Sequence, residues 1–175
     1  AMLRLYHDTG RTCLSLSFSV FFSLKIIPEQ PMDLQTSRLY SCIDNDEDMG
    51  VYAFDGQKLI HDLALLHHFN GPGLQFFRDA VLSVVPLISQ LKNGEGLGFY
   101  IDAENPKFLF KIEMNFSGNI RTLLLPPEIT SFPEKIDGIC RVVKTFGPGA
   151  DDRYTSIIEL RSINWREIIN KVLAD

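Results

Sequence analysis

Between Leu97 and Leu160 the chain is written almost throughout in the alternation of a β-sheet, and this constrains its fold more than any other feature. Leu97, Phe99 and Ile101 fall on one side of a first strand. Phe108, Phe110, Ile112 and Met114 alternate with Lys111, Glu113 and Asn115, the period of two that marks a strand with one buried face. Turn chemistry separates the runs. Asn105-Pro106-Lys107 makes one turn, and Ser117-Gly118-Asn119 supplies the positive φ of a tight hairpin. Ile120 to Leu125 reads as a third strand, stopped by Pro126-Pro127, because proline cannot donate to a ladder. Ile139 to Thr145 and Tyr154 to Leu160 form two more around the loop 147–152. Short turns between successive strands predict a mainly antiparallel sheet.

The helices lie upstream. Gln57 to Phe69 carries Leu59, Leu63 and Leu66 at helical spacing, and Gly71-Pro72-Gly73 is expected to end it. Leu74 to Lys92 is apolar nearly all round, the mark of a helix buried on several sides, with a kink expected at Pro86. A last helix starts near Asn164, with Glu167 completing a capping box and Trp165, Ile168, Ile169 and Val172 forming its apolar stripe. The sum is an α+β domain in which a twisted, mainly antiparallel sheet wraps the buried helix of residues 74–92 in β/α/β layers.

This ordered set resembles the N-terminal domain of the heat shock protein 33 family, the redox-regulated holdase chaperones. Ala103-Glu104-Asn105-Pro106 stands at the family's first turn, although its glycines are gone, and Asn115-Phe116-Ser117-Gly118-Asn119-Ile120-Arg121 at its hairpin. Gly138-Ile139-Cys140-Arg141-Val142-Val143-Lys144 matches a later G-x-L-x-V-x-K element, and Tyr154-Thr155-Ser156-Ile157-Ile158-Glu159-Leu160 a Y-x-S-x-V-E-L element. The resemblance runs from about Ser37 to Asp175. It implies an ATP-independent holdase that captures unfolded client proteins on apolar surface, and the same buried helix wrapped by sheet. In the family a linker and a zinc domain with C-x-C and C-x-x-C ligands follow. This sequence ends at Asp175, short of that segment, which fits a domain cut from a longer protein.

Composition narrows the classes. The chain has 175 residues, the size of one domain with a real core. Its 45% hydrophobic residues, 13 of them Phe, leave much apolar surface to place. A formal net charge of −5 argues against nucleic acid as a partner, because phosphate binding needs a basic patch. The three cysteines, Cys13, Cys42 and Cys140, have neither disulfide-framework nor zinc-ligand spacing, so a reducing, cytoplasmic compartment and no bound zinc are expected. Residues 1–31 read as an N-terminal extension, with Ala1-Met2 a cloning remnant, and 32–175 as the chaperone domain. Leu14 to Ile27 imitates a signal peptide, but its interspersed serines make an extra strand the plainer reading. The stretch is too short and interrupted for a transmembrane helix.

Several constellations imitate chemistry. Asp44 to Gly50 resembles the start of a calcium loop, but its glycine falls one place late, Asp55 rather than Glu closes the twelve, and strands flank it. His61, His67 and His68 share a helix without an evident third ligand. Cys140 sits in a strand, where a buried structural thiol is the plainer role. No catalytic, cofactor-binding or metal-ligating residue is assigned. The expected function is therefore a holdase, not an enzyme. A structural or oligomerisation module is the alternative, and a hydrolase using His61 and the acidic loop a weaker one. An uncovered apolar surface also predicts a homodimer or larger assembly.

Overall fold

A computed structural model describes residues 3–4, 6–8, 34–44, 49–127, 129–147 and 153–174. These described residues form two sheets and three α-helices. The larger sheet has six strands in the order β1 (Leu3–Arg4), β7 (Asn119–Leu125), β6 (Lys107–Asn115), β5 (Gly96–Asn105), β8 (Ile136–Thr145) and β9 (Arg153–Ile163). Every pairing in it is antiparallel. The smaller sheet joins β2 (Tyr6–Asp8), β3 (Arg38–Asp44) and β4 (Met49–Asp55), with β2 parallel to β3. The expected α+β class and mainly antiparallel sheet are found, but the strands are not a simple meander: after β7 the chain crosses back to pair β8 with β5.

The alternation read from sequence places one face of the large sheet on the core. Phe99, Ile101, Phe110, Ile112, Cys140 and Leu160 are buried, while their neighbours along each strand point the other way. Against that inner face lies α2 (Gly71–Val84), with Phe76, Phe77, Ala80, Val81 and Val84 fully buried. Phe76 is the hub. Its ring meets those of Phe108 at 5.0 Å, Trp165 at 5.7 Å, Phe110 at 6.0 Å and Phe132 at 6.1 Å, mostly edge-on, the geometry aromatic quadrupoles favour. The Trp165 indole N–H donates to Ser83 Oγ at 3.1 Å, so its polar atom is satisfied inside the cluster.

Three helix boundaries differ from the sequence reading, each for a physical reason. Helix α1 (Gln57–His67) ends earlier than Gly71-Pro72-Gly73: His68 takes the left-handed conformation, and the Phe69 N–H donates back to the Ala64 carbonyl. Gly71-Pro72-Gly73 instead forms the first turn of α2. Proline is tolerated there, because its missing N–H has no partner in a first turn anyway. At Pro86 the helix does not kink and continue; it tightens into a 3-10 helix over Val85–Gln90. The proline ring crowds the carbonyl four residues back, and the chain resolves this by changing its hydrogen-bond period.

Helix α3 (Trp165–Ala174) begins as expected. The Glu167 N–H donates to Asn164 Oδ1 at 2.9 Å, and the Asn164 N–H donates to Glu167 Oε2 at 3.3 Å, a reciprocal capping box. The extra strand or signal peptide expected over Leu14 to Ile27 lies outside the described residues, as does the proposed boundary at residue 31.

Candidate functional site

The face of the large sheet turned away from α2 is the candidate site. Register fixes which residues sit beside one another there. Across one row lie Leu125, Leu109, Asp102, Ile139 and Glu159; across the next lie Leu123, Lys111, Tyr100, Arg141 and Ile157; across a third lie Arg121, Glu113, Gly98, Val143 and Thr155. Large apolar side chains are left in solvent on this face: Leu125 is 45% exposed, Ile139 44% and Ile157 66%. Ile139 and Ile157 are diagonal neighbours on β8 and β9, while Leu109 and Asp102 separate Leu125 from them; adjoining exposed apolar residues of this kind are candidates for a contact surface.

On the same face is an open groove of about 840 Å³ at the β6–β7 hairpin end. Gly96 and Gly98 of β5 line it, and the space their missing side chains leave is taken by the Thr145 hydroxyl over Gly96 and the Tyr100 ring over Gly98. Tyr100 folds back over Gly98, where an added Cβ would lie 2.4 Å from the phenol oxygen. The Tyr100 hydroxyl donates to Glu113 Oε1 at 2.9 Å, and Arg121 donates through Nε at 2.8 Å and through Nη2 to Glu113 Oε2. Burial pushes the Glu113 carboxyl up, but the Arg121 and Tyr100 hydrogen bonds outweigh it and leave the group below the ordinary carboxylate range. Tyr100 is displaced upward, by burial first and by its bond to Glu113 second.

Glu95, just before Gly96, anchors the groove's end. It is buried, accepts the Lys92 N–H at 2.7 Å and pairs with Lys144 Nζ at 2.9 Å. These contacts, the backbone bond foremost, hold its carboxyl below the ordinary glutamate value. A depressed carboxyl contributes stability above its unfolded pKa, about 4.3, and loses that contribution as pH falls through the lower folded value. Urea midpoints measured from about pH 6 to about pH 3 should therefore fall less steeply in Glu95→Gln than in the parent across the region below about 4.3. Parallel curves would contradict this role.

The sequence candidates are dispersed. His61 is half exposed and only approaches Asp62, its Nδ1 lying 3.6 Å from Oδ1. His67 is not a surface ligand: it stacks on Phe69 at 5.1 Å and shares a 3.0 Å hydrogen bond with Thr122 Oγ1, and burial lowers its pKa. His68 is the left-handed residue that closes α1. The acidic loop's Asn45 to Asp48 lie outside the described residues, and β3 and β4 flank them. Among the described residues no three His, Cys, Asp or Glu side chains are placed to share a metal ion. Cys140 is fully buried, and burial pushes its thiol up to about 12, so it is an inert packing group. Sequence reasoning missed the groove and the Tyr100–Glu113–Arg121 network, whose members meet only through strand register.

A family model described as Hsp33 protein matches residues 37–174. The fold is similar to that of a crystal structure of the 33 kDa chaperonin, a heat shock protein 33 homologue, from Thermotoga maritima. The TM-score is 0.64 at 14% sequence identity, over 78% of this chain and 50% of that one. The chain thus spans about half the length of that relative. No curated protein matches the sequence. No helix among the described residues is long and apolar enough to cross a membrane.

Proposed function

Because the chain belongs to the heat shock protein 33 family, a family of chaperones, we propose that it is an ATP-independent holdase domain that takes up unfolding proteins on the outer face of its large sheet. The observation that carries this is the pair Ile139 and Ile157, diagonal neighbours on β8 and β9 left in solvent on the face opposite the core, with Leu125 exposed on β7 across the same face. Covering apolar area is worth roughly 25 cal/mol per Å² and is non-directional, as a protein with many unrelated clients needs. The role is binding rather than catalysis, in a reducing cytoplasmic setting under stress. Self-association to a homodimer through apolar surface accompanies it.

Redox control is not part of this chain's own behaviour. The buried, proton-retaining thiol of Cys140 supports that reading, as does the lack of zinc-ligand spacing among Cys13, Cys42 and Cys140. The chain should suppress light scattering from a heat-denatured client equally in oxidant and in reductant, with no nucleotide added. Suppression that appears only after oxidation would show a switch in these cysteines. Unchanged scattering at equimolar chain would leave the structural-module reading in place. Elemental analysis of protein purified without chelator should find no stoichiometric zinc, and about one zinc per chain would overturn the cofactor-free assignment.

A further inference from the structure

We infer that residues 3–8 are a displaceable strap, and that the sheet edges it occupies form a site for the backbone of an extended, unfolding chain. The inference rests on the holdase reading for the nature of the occupant; it adds a second surface and the device that covers it.

The strap is one short run of chain seated on two sheets. Leu3–Arg4 runs antiparallel to β7, with Leu3 opposite Ile120 and Arg4 opposite Asn119. Tyr6–Asp8 runs parallel to β3, on the side away from β4, with Tyr6, His7 and Asp8 opposite Arg38, Leu39 and Tyr40. Leu5 alone separates the two ladders in sequence, so both edges open onto one line that an extended chain can follow. The edge of a sheet offers a row of N–H and C=O groups to any such chain, and reads its backbone before its side chains. That suits a protein with many unrelated clients. The strap itself is an extended segment held in this way, and so shows what the edges accept.

Short ladders make the strap displaceable. They hold two and three residues, against nine paired along β5 and β6. A net hydrogen bond gains no more than fixing one residue's backbone costs, so ladders this short are held close to balance. The strap also lies outside residues 37–174, the part that matches the Hsp33 family model. Among the described residues, Arg121 to Leu125 of β7 carry no strand on the strap's side. A client strand gains its first bonds there, beside half-buried Leu123 and exposed Leu125 on the outer face. Advancing along β7 it reaches Ile120 and lifts the strap. The strap stays joined to the domain by the chain itself, so it competes at high local concentration and closes again when the client leaves.

The test is fluorescence anisotropy on the whole chain, with a labelled copy of residues 1–8 as probe beside the same peptide N-methylated at alternate residues, which removes backbone donors. In the parent the closed strap lowers the apparent affinity by the fraction of molecules whose edges are open. Arg4→Pro/His7→Pro, with a proline in each ladder, should bind the unmethylated probe at least about tenfold more tightly than the parent does. The methylated probe should bind neither. Equal affinity in parent and variant, or a methylated probe bound as tightly, would overturn the site. Hydrogen exchange on the parent gives an independent reading. The amides of Tyr6 to Asp8 should exchange at least about 100-fold faster than those of Phe110 and Ile112 in β6, and equal protection would overturn a displaceable strap. Client scattering on the same proteins separates the two claims. Suppression without probe discrimination sinks the strap alone, and probe discrimination without suppression sinks the holdase reading alone.

Discussion

Replacing Gly138 by alanine should destabilise the domain by about 3 to 5 kcal/mol, combining the usual costs of a strained backbone and of overpacking. Gly138 has φ +143°, a conformation that side-chain-bearing residues rarely adopt. A Cβ there would lie 2.2 Å from the Asp102 carbonyl oxygen and 2.8 Å from the Ala103 Cα. Both are backbone atoms of β5, which is paired on both sides and cannot retreat. The β8 ladder shifts register at this point on both its edges, so the glycine is where the strand bends between β5 and β9. Gly147→Ala is the matched control, because nothing lies within 4 Å of its added Cβ. Urea unfolding should separate the two variants clearly. A Gly138→Ala midpoint close to that of Gly147→Ala would refute the backbone clash.

Phe76→Ala should cost about 3 to 5 kcal/mol, the range for removing a buried phenylalanine ring. Against a total of about 5 to 15 kcal/mol for a domain, that brings the chain near unfolding at growth temperature. Phe76 joins α2 to β6 through Phe108 and Phe110, and to α3 through Trp165, so its loss opens a cavity between three elements. The ring is 1% exposed, and stiff strand backbone on one side limits collapse into the space. Phe76→Leu, which keeps most of the volume, should recover more than half of the loss. A thermal midpoint in Phe76→Ala within about 2 °C of the parent would show that the cluster is not the keystone of the core.

The large sheet was legible because its signal is local. Alternation along Phe108 to Met114 names the buried face without knowledge of any partner strand, and Asn164 with Glu167 names a helix start within four residues. What stayed hidden depends on distant residues. Whether Gly71-Pro72-Gly73 closes one helix or opens the next was decided by His68, which accepts a left-handed backbone and ends α1 first. Whether Pro86 bends a helix or changes its period depends on how tightly Val85 and Ile88 are held in the core. The first two strands are too short to show any period; Leu3 and Arg4 are placed only by β7.

The candidate site was the least legible part. Gly96, Gly98, Tyr100, Glu113 and Arg121 are each unremarkable in their own strands. They become a groove only when β5, β6 and β7 align so that Glu113 sits between Gly98 and Arg121. A run of outward glycines in an otherwise strand-like segment was the one cue available, since glycine weakens a strand and needs a reason to be there. Likewise, Ile139 and Ile157 read as ordinary apolar strand residues until register put them on the solvent side, while Cys140 and Ile158 beside them went inward.

The central claim is that the outer face, rather than the fold as a whole, holds unfolding clients. The direct measurement compares client light scattering in the presence of the parent chain and of the Ile139→Ser/Ile157→Ser double variant at equal concentration. Both positions are solvent-exposed, so the variant should keep its thermal midpoint while its suppression of scattering falls by more than half. Full suppression by a variant with that face made polar would contradict the account.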